Sequence, residues 1–202
     1  FFHSGATEGL HSVMSSFVEL VKKEKRKLLV CYSSIDHPAV VSLAERDWGE
    51  EVSFYVLKLG ENLEYLHEEN YAQLSKFKEE TPELVILYHH LWAHNETGYV
   101  SPLQELKNYH AISDLYLHVD AVQAPGKVLD WQDLSAGDIW TFSAHKFGSL
   151  KGVGFTLMKK SVPYKALFMG GGQQFNLRSG TENVQGIMSL SLALRDVKMI
   201  SV

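Results

Sequence analysis

One cysteine, Cys31, stands in 202 residues, so no disulfide can form within the chain, and a reducing compartment (cytoplasm, or an organellar matrix in a eukaryote) is compatible with it. It lies in the strand-like run Leu28-Leu29-Val30-Cys31-Tyr32, which predicts a buried, inert thiol. No apolar run reaches the roughly 18–20 residues that a membrane-spanning helix needs. The longest, around Leu84 to Ala93, is broken by His89 and His90, and a soluble protein with no membrane partner is expected. Basic excess is also lacking. At a formal net charge of −5 there is no field to attract a phosphate backbone, and no nucleic-acid partner is expected. The one basic cluster, Lys22 to Lys27, follows a probable helix and suits the dipole at its C-terminal end. There is no initiator methionine and no signal-peptide pattern; Phe1-Phe2-His3-Ser4 reads as a strand already ending.

What is present is ordinary globular material. With 45% hydrophobic and 21% charged residues, disordered and fibrous classes are excluded. Apolar runs of strand length (Leu28 to Tyr32, Val52 to Leu57, Leu84 to His89, Leu115 to Val119, Ile139 to Phe142, and Val153 to Met158) alternate with segments of helical period such as Pro38 to Trp48 and Pro102 to Ile112. The last of these is a final amphipathic helix over Glu182 to Met199. Alternation of this kind predicts an α/β domain with a mainly parallel sheet, and the continuous apolarity of the strands predicts helices on both of its faces, a three-layer sandwich. In such sheets ligands bind beyond the carboxyl ends of the strands.

Asp120 ends one of these runs and Ser143-Ala144-His145-Lys146 follows another, 26 positions later. An isolated aspartate or lysine would be read as a solvated surface residue. Together at two strand ends they suit pyridoxal phosphate chemistry, in which a lysine amine forms a Schiff base and a carboxylate keeps the pyridine nitrogen protonated. Gly5-Ala6-Thr7 precedes a helix expected from about Glu8 to Lys22. Its amides could cradle an anion there, or Thr7 could simply cap the helix. His89, His90, His94 and His118 match no metal-binding spacing, and no metal is expected.

The strings Leu117-His118-Val119-Asp120-Ala121-Val122-Gln123, Phe142-Ser143-Ala144-His145-Lys146 and Lys151-Gly152-Val153-Gly154 resemble the class V, fold-type I pyridoxal-phosphate enzymes. So do Ser4-Gly5-Ala6-Thr7-Glu8, Asn95-Glu96-Thr97-Gly98, and Gly170-Gly171-Gly172-Gln173 with Arg178-Ser179-Gly180-Thr181-Glu182-Asn183, in family order across nearly the whole chain. Within that class the chain looks most like the cysteine desulfurases. The resemblance implies pyridoxal 5′-phosphate as cofactor, with Lys146 as the Schiff-base lysine and Asp120 against the ring nitrogen. It implies phosphate contacts from Ala6, Thr7, Ser143 and His145, and contacts to the phenolic oxygen from Asn95 and Gln123. His37 would stack on the ring and move protons, and Thr181 would reach the phosphate of a second subunit, which implies a homodimer. L-cysteine is the implied substrate, with a sulfur-acceptor protein as partner in iron–sulfur or thio-cofactor assembly. On the residues alone, His37 could equally be a loop histidine and Asn95 a turn residue.

Three departures from the family pattern stand out: His94 where a second asparagine is usual, Ser149-Leu150 where Gly-Pro is common, and Phe175-Asn176 where a basic residue and glycine are usual. By resemblance, residues 1–202 are an incomplete large domain, without an N-terminal segment and the small domain that carries the nucleophilic cysteine and a substrate-binding arginine. Such a chain is expected to be inactive by itself. Alternative readings are a selenocysteine lyase or aminotransferase of the same class, or a non-catalytic dimerisation scaffold.

Overall fold

The computed structural model describes the backbone of residues 1–200 and the side chains of residues 1–197. Seven strands form one sheet: β1 (Phe2–His3), β2 (Leu28–Tyr32), β3 (Val52–Val56), β4 (Val85–Leu91), β5 (Leu115–Asp120), β6 (Ile139–Ser143) and β7 (Gly154–Met158). Their order is β1-β7-β6-β5-β4-β2-β3. Neighbours from β3 through β6 run parallel, and only β7 runs against the rest, antiparallel to both β6 and β1.

The predicted strands all form, within two residues of their expected ends. The helices differ more. Helix α1 (Ala6–Glu24) begins two residues earlier than expected, with Gly5 rather than Thr7 at its cap, so Ala6 and Thr7 lie inside its first turn. Helix α2 (Pro38–Ala44) is shorter than its apolar pattern, because Trp48 turns back to donate to the Leu43 carbonyl at 2.7 Å. The Pro102 to Ile112 segment is a run of 3-10 turns, Leu103–Ala111. Helix α3 (His67–Glu80) was not expected: its only fully buried apolar side chain is Leu74, too narrow a stripe to stand out. The final helix, α4, spans Val184–Ile200.

Alternation along the strands sorts the two faces. Leu28, Val30, Val85, Leu87 and Ile139 pack with Val13, Met14, Phe17, Val18 and Val21 of α1. Leu29, Cys31, Ile86, Tyr88, Leu117, Val119, Trp140 and Phe142 pack on the other face with Leu74, Leu106, Tyr109, Leu190 and Ala193. This is the expected three-layer sandwich. The chain steps from β2 outward to β3 and returns as β4 on the other side of β2, which creates a crevice at the carboxyl ends of β2 and β4.

The α1 face carries one polar row. His3, Thr156, Thr141 and His118, each from a neighbouring strand, are linked in sequence: His3 Nε2 to Thr156 Oγ1 at 3.0 Å, Thr156 Oγ1 to Thr141 Oγ1 at 3.1 Å, and Thr141 Oγ1 to His118 Nε2 at 2.8 Å. His89 on β4 continues the row, its ring 4.7 Å from that of His118. These hydrogen bonds satisfy both threonine hydroxyls and one nitrogen each of His3 and His118, while His3 Nδ1, His118 Nδ1 and His89 Nε2 are buried without a partner. The row needs α1 close by, and Gly9 allows it: a Cβ there would lie 2.6 Å from His3 Nε2 and 2.9 Å from Thr156 Oγ1. Gly9→Ala is therefore expected to cost about 1–3 kcal/mol of stability despite the better helix propensity of alanine. The check is a lowered urea midpoint at unchanged m value; a midpoint at or above that of the parent protein would show that the row has room to move.

Candidate active site

A cavity of about 340 Å³ opens where the carboxyl ends of β4, β5 and β6 meet the N-terminus of α1. Strand register builds its floor. Asp120, the last residue of β5, pairs with Leu91 on one side and Thr141 on the other, and Ser143 follows two residues beyond Thr141 on the same face. Asp120 is buried, 7% exposed, and its Oδ1 accepts from the Val122 amide at 3.0 Å. Burial raises its pKa, while the Val122 amide, His37 and Lys146 pull it down.

Lys146 lines the same cavity, in a single 3-10 turn (Ala144–Phe147) directly after β6, ended by Gly148 at φ 92°. The turn presents Ser143 and His145 with Oγ and Nδ1 3.0 Å apart. Burial first, then Lys146 and Lys151, lower the His145 pKa, which favours the neutral ring. At the N-terminus of α1, the first amide with an acceptor is that of Gly9, bonded to the Gly5 carbonyl at 3.2 Å, and no side chain caps the helix. The amides of Ala6 and Thr7, both lining the cavity, are thus left for an anion.

His37 caps α2 and lines the same cavity. Its Nδ1 accepts from the Ala39 amide at 3.1 Å, so the neutral ring carries its proton on Nε2. Asn95 also lines the cavity, held out on an exposed turn. The unusual His94 does the work expected of an asparagine in that turn, since its Nδ1 accepts from the Thr97 amide at 3.1 Å and the Glu96 amide at 3.3 Å. Gln123 lines the cavity as well, with its Oε1 taken by Lys127 Nζ at 2.7 Å.

Nine of the ten residues singled out from sequence therefore meet at one cavity. Thr181 does not. It is exposed and lines a separate small cavity beside Gln174, Arg178 and Asn183. Its loop is pinned from within the chain: Arg178 Nε donates to Glu8 Oε1 at 2.9 Å, and the Gln174 amide bonds the Phe2 backbone, donating to its carbonyl at 3.1 Å. Gln174, Phe175 and Asn176 are successive left-handed residues, and Phe175 is 94% exposed. Sequence reading missed Lys127, although its position four residues after Gln123 was a usable signal. Among the described residues no group of three His, Cys, Asp or Glu side chains is placed to hold a metal, and no helix is long and apolar enough to cross a membrane.

The family model described as aminotransferase class-V matches residues 1–202. The chain is 32% identical over 195 residues to a cysteine desulfurase of Sinorhizobium fredii, covering 95% of this chain and 47% of the relative. It is likewise 32% identical over 197 residues to the cysteine desulfurase IscS of Clostridium botulinum, covering 96% and 47%. Among solved structures, DndA from Streptomyces lividans superposes with a TM-score of 0.84 at 30% identity, over 100% of this chain and 56% of that one. The chain thus spans about half the length of the relatives it matches.

Proposed function

Because the chain belongs to the class-V aminotransferase family and its relatives include cysteine desulfurases, we propose that it forms the cofactor-binding part of a pyridoxal-phosphate-dependent cysteine desulfurase. The observation that carries this reading is Asp120 and Lys146 lining one cavity together with the first turn of a helix whose N-terminus no side chain caps. An amine, a buried carboxylate and an anion cradle are the three groups that pyridoxal phosphate requires, so the residues present fit it.

When bound, the cofactor supplies an electron-accepting ring. Asp120 would keep a proton on the ring nitrogen by a charge-assisted contact, which also offsets the effect of burial on the carboxyl itself. The amides of Ala6 and Thr7, with Ser143 and His145, would hold the phosphate. Gln123 and Asn95 would donate to oxygen atoms at the cavity rim, and the Nε2–H of His37 is the proton available for transfer beside the ring. Lys146 would supply the amine.

L-cysteine as substrate, a sulfur-acceptor protein, a homodimer and a cytoplasmic or organellar location belong to the same reading. The dimer reading is consistent with Thr181, which is exposed on a pinned loop and does not line the cavity of its own chain. Cys31 is not the sulfur-accepting thiol. It is fully buried, burial pushes its pKa up, and it packs on the sheet face opposite the cavity. These residues by themselves are expected to release no sulfide.

Incubation with pyridoxal phosphate, borohydride reduction and peptide mass analysis is expected to leave a pyridoxyl adduct on Lys146. An adduct on another lysine with Lys146 unmodified would overturn the assignment.

A further inference from the structure

Lys127 links the two loops that carry the site. Its backbone closes the turn after β5, with the amide bonded to the Ala124 carbonyl at 3.1 Å. Its ammonium then spans to the loop after β6, donating to Gln123 Oε1 at 2.7 Å and to the Lys146 carbonyl at 2.9 Å. The Lys146 carbonyl belongs to a turn of four residues that supplies few internal acceptor bonds, so a cation there meets an otherwise unsatisfied group.

We infer that Lys127 is a positioning residue that fixes the orientation of the Gln123 amide and the placement of the Lys146 turn. An ammonium can only donate. With the Gln123 amide reversed, two donors would face each other at 2.7 Å, so the carbonyl end is committed to Lys127 and the NH₂ end is left for the cavity. A donor at that wall suits an anionic or carbonyl oxygen on the ligand. The same ammonium holds the carbonyl of the residue whose amine must reach that ligand, so one side chain sets the relative placement of both contacts. Arginine can replace the charge and both donations, whereas methionine keeps the stem and loses them.

The inference rests on the reading of the cavity as a pyridoxal-phosphate site, and two measurements on the full-length protein separate them. The first is hydrogen–deuterium exchange without cofactor, which needs no ligand. Lys127→Met is expected to speed exchange in segments 121–128 and 144–149 while leaving α1 and the strands unchanged, and Lys127→Arg is expected to restore much of the protection. The second is pyridoxal phosphate affinity. Lys127→Met and Gln123→Ala should each weaken it about 5- to 20-fold, the range of one or two hydrogen bonds. The double variant should be no weaker than about the worse single one, because both remove the same oriented donor. Unchanged exchange in Lys127→Met overturns the positioning role. So do independent, multiplying losses of affinity. If the unsubstituted protein binds no pyridoxal phosphate, the reading of the cavity fails, and the exchange result still decides whether Lys127 ties the loops together.

Discussion

Asp120→Asn in the full-length protein is expected to leave pyridoxal phosphate bound and to lower kcat for sulfide release from L-cysteine at least about a hundredfold, the scale of losing one electrostatic partner of a developing charge. Asparagine has nearly the shape of aspartate, and its Oδ1 can still accept from the Val122 amide, so the end of β5 is kept. What it lacks is the negative charge that holds a proton on the ring nitrogen. Because that charge matters more as electrons move into the ring than when the cofactor merely sits in the cavity, the loss belongs in turnover rather than in binding. Removing a buried, partly desolvated carboxyl is not expected to destabilise the fold. Steady-state kinetics beside a cofactor titration is the check. A variant with near-parental kcat would make Asp120 a structural residue and would remove the observation on which the proposed function stands.

The second large effect is acid sensitivity. Burial lowers the pKa of His3 and His89 to about 4, that of His90 to about 3, and that of His118 well below its ordinary value. Each ring is neutral in the folded protein, whereas in the unfolded chain it takes up a proton below about pH 6.5. For these groups the unfolded state binds more protons between pH 6.5 and about 4, so stability falls as pH drops through that window. Asp36 acts in the opposite sense. Burial raises its carboxyl to about 7, so between 7 and its ordinary value the folded state holds the extra proton, and Asp120 is shifted in the same direction. The histidines outnumber these carboxyls, and the net loss is expected to be about 3 kcal/mol per pH unit. Against a domain stability of roughly 5–15 kcal/mol, unfolding should set in between about pH 4 and 5. His90→Phe should make the loss shallower. Both ring nitrogens of His90 lack partners and the ring packs at a tilt with its centroid 4.3 Å from that of Tyr65, so phenylalanine keeps the packing and removes the titration. Thermal unfolding followed by circular dichroism from pH 7.5 to 4.5 is the measurement, and a midpoint unchanged between 7 and 5 would contradict the burial of these rings.

The sequence alone determined the layer architecture and which candidate residues to look for at the strand ends. Runs such as Leu115 to Asp120 and Ile139 to Ser143 are apolar because both sheet faces are covered, and that pattern needs no coordinates to read. Asp120, Ser143 and Lys146 stand out as candidates in the sequence because they follow strand ends, and the structure places all three at one cavity. Helix α3 was not recognisable, because its burial rests on Leu74 and on polar contacts such as Asn70 Oδ1 accepting from the Lys58 amide at 2.9 Å, which no periodicity encodes.

Only the tertiary structure decided what lies beside what. Pairing of Asp120 with Thr141 fixes the distance between two loops 26 residues apart in the chain, and hydrogen bonds between strands set that pairing. The same pairing gathers His3, Thr156, Thr141, His118 and His89 into one row, although they are scattered from residue 3 to residue 156. Side-chain alternation puts Cys31 on the face away from the cavity, and loop closure brings the Lys127 ammonium onto the carbonyl of Lys146. Local sequence sets which groups a residue offers; register and the sidedness of a sheet set which of them meet, because those depend on pairings between distant segments.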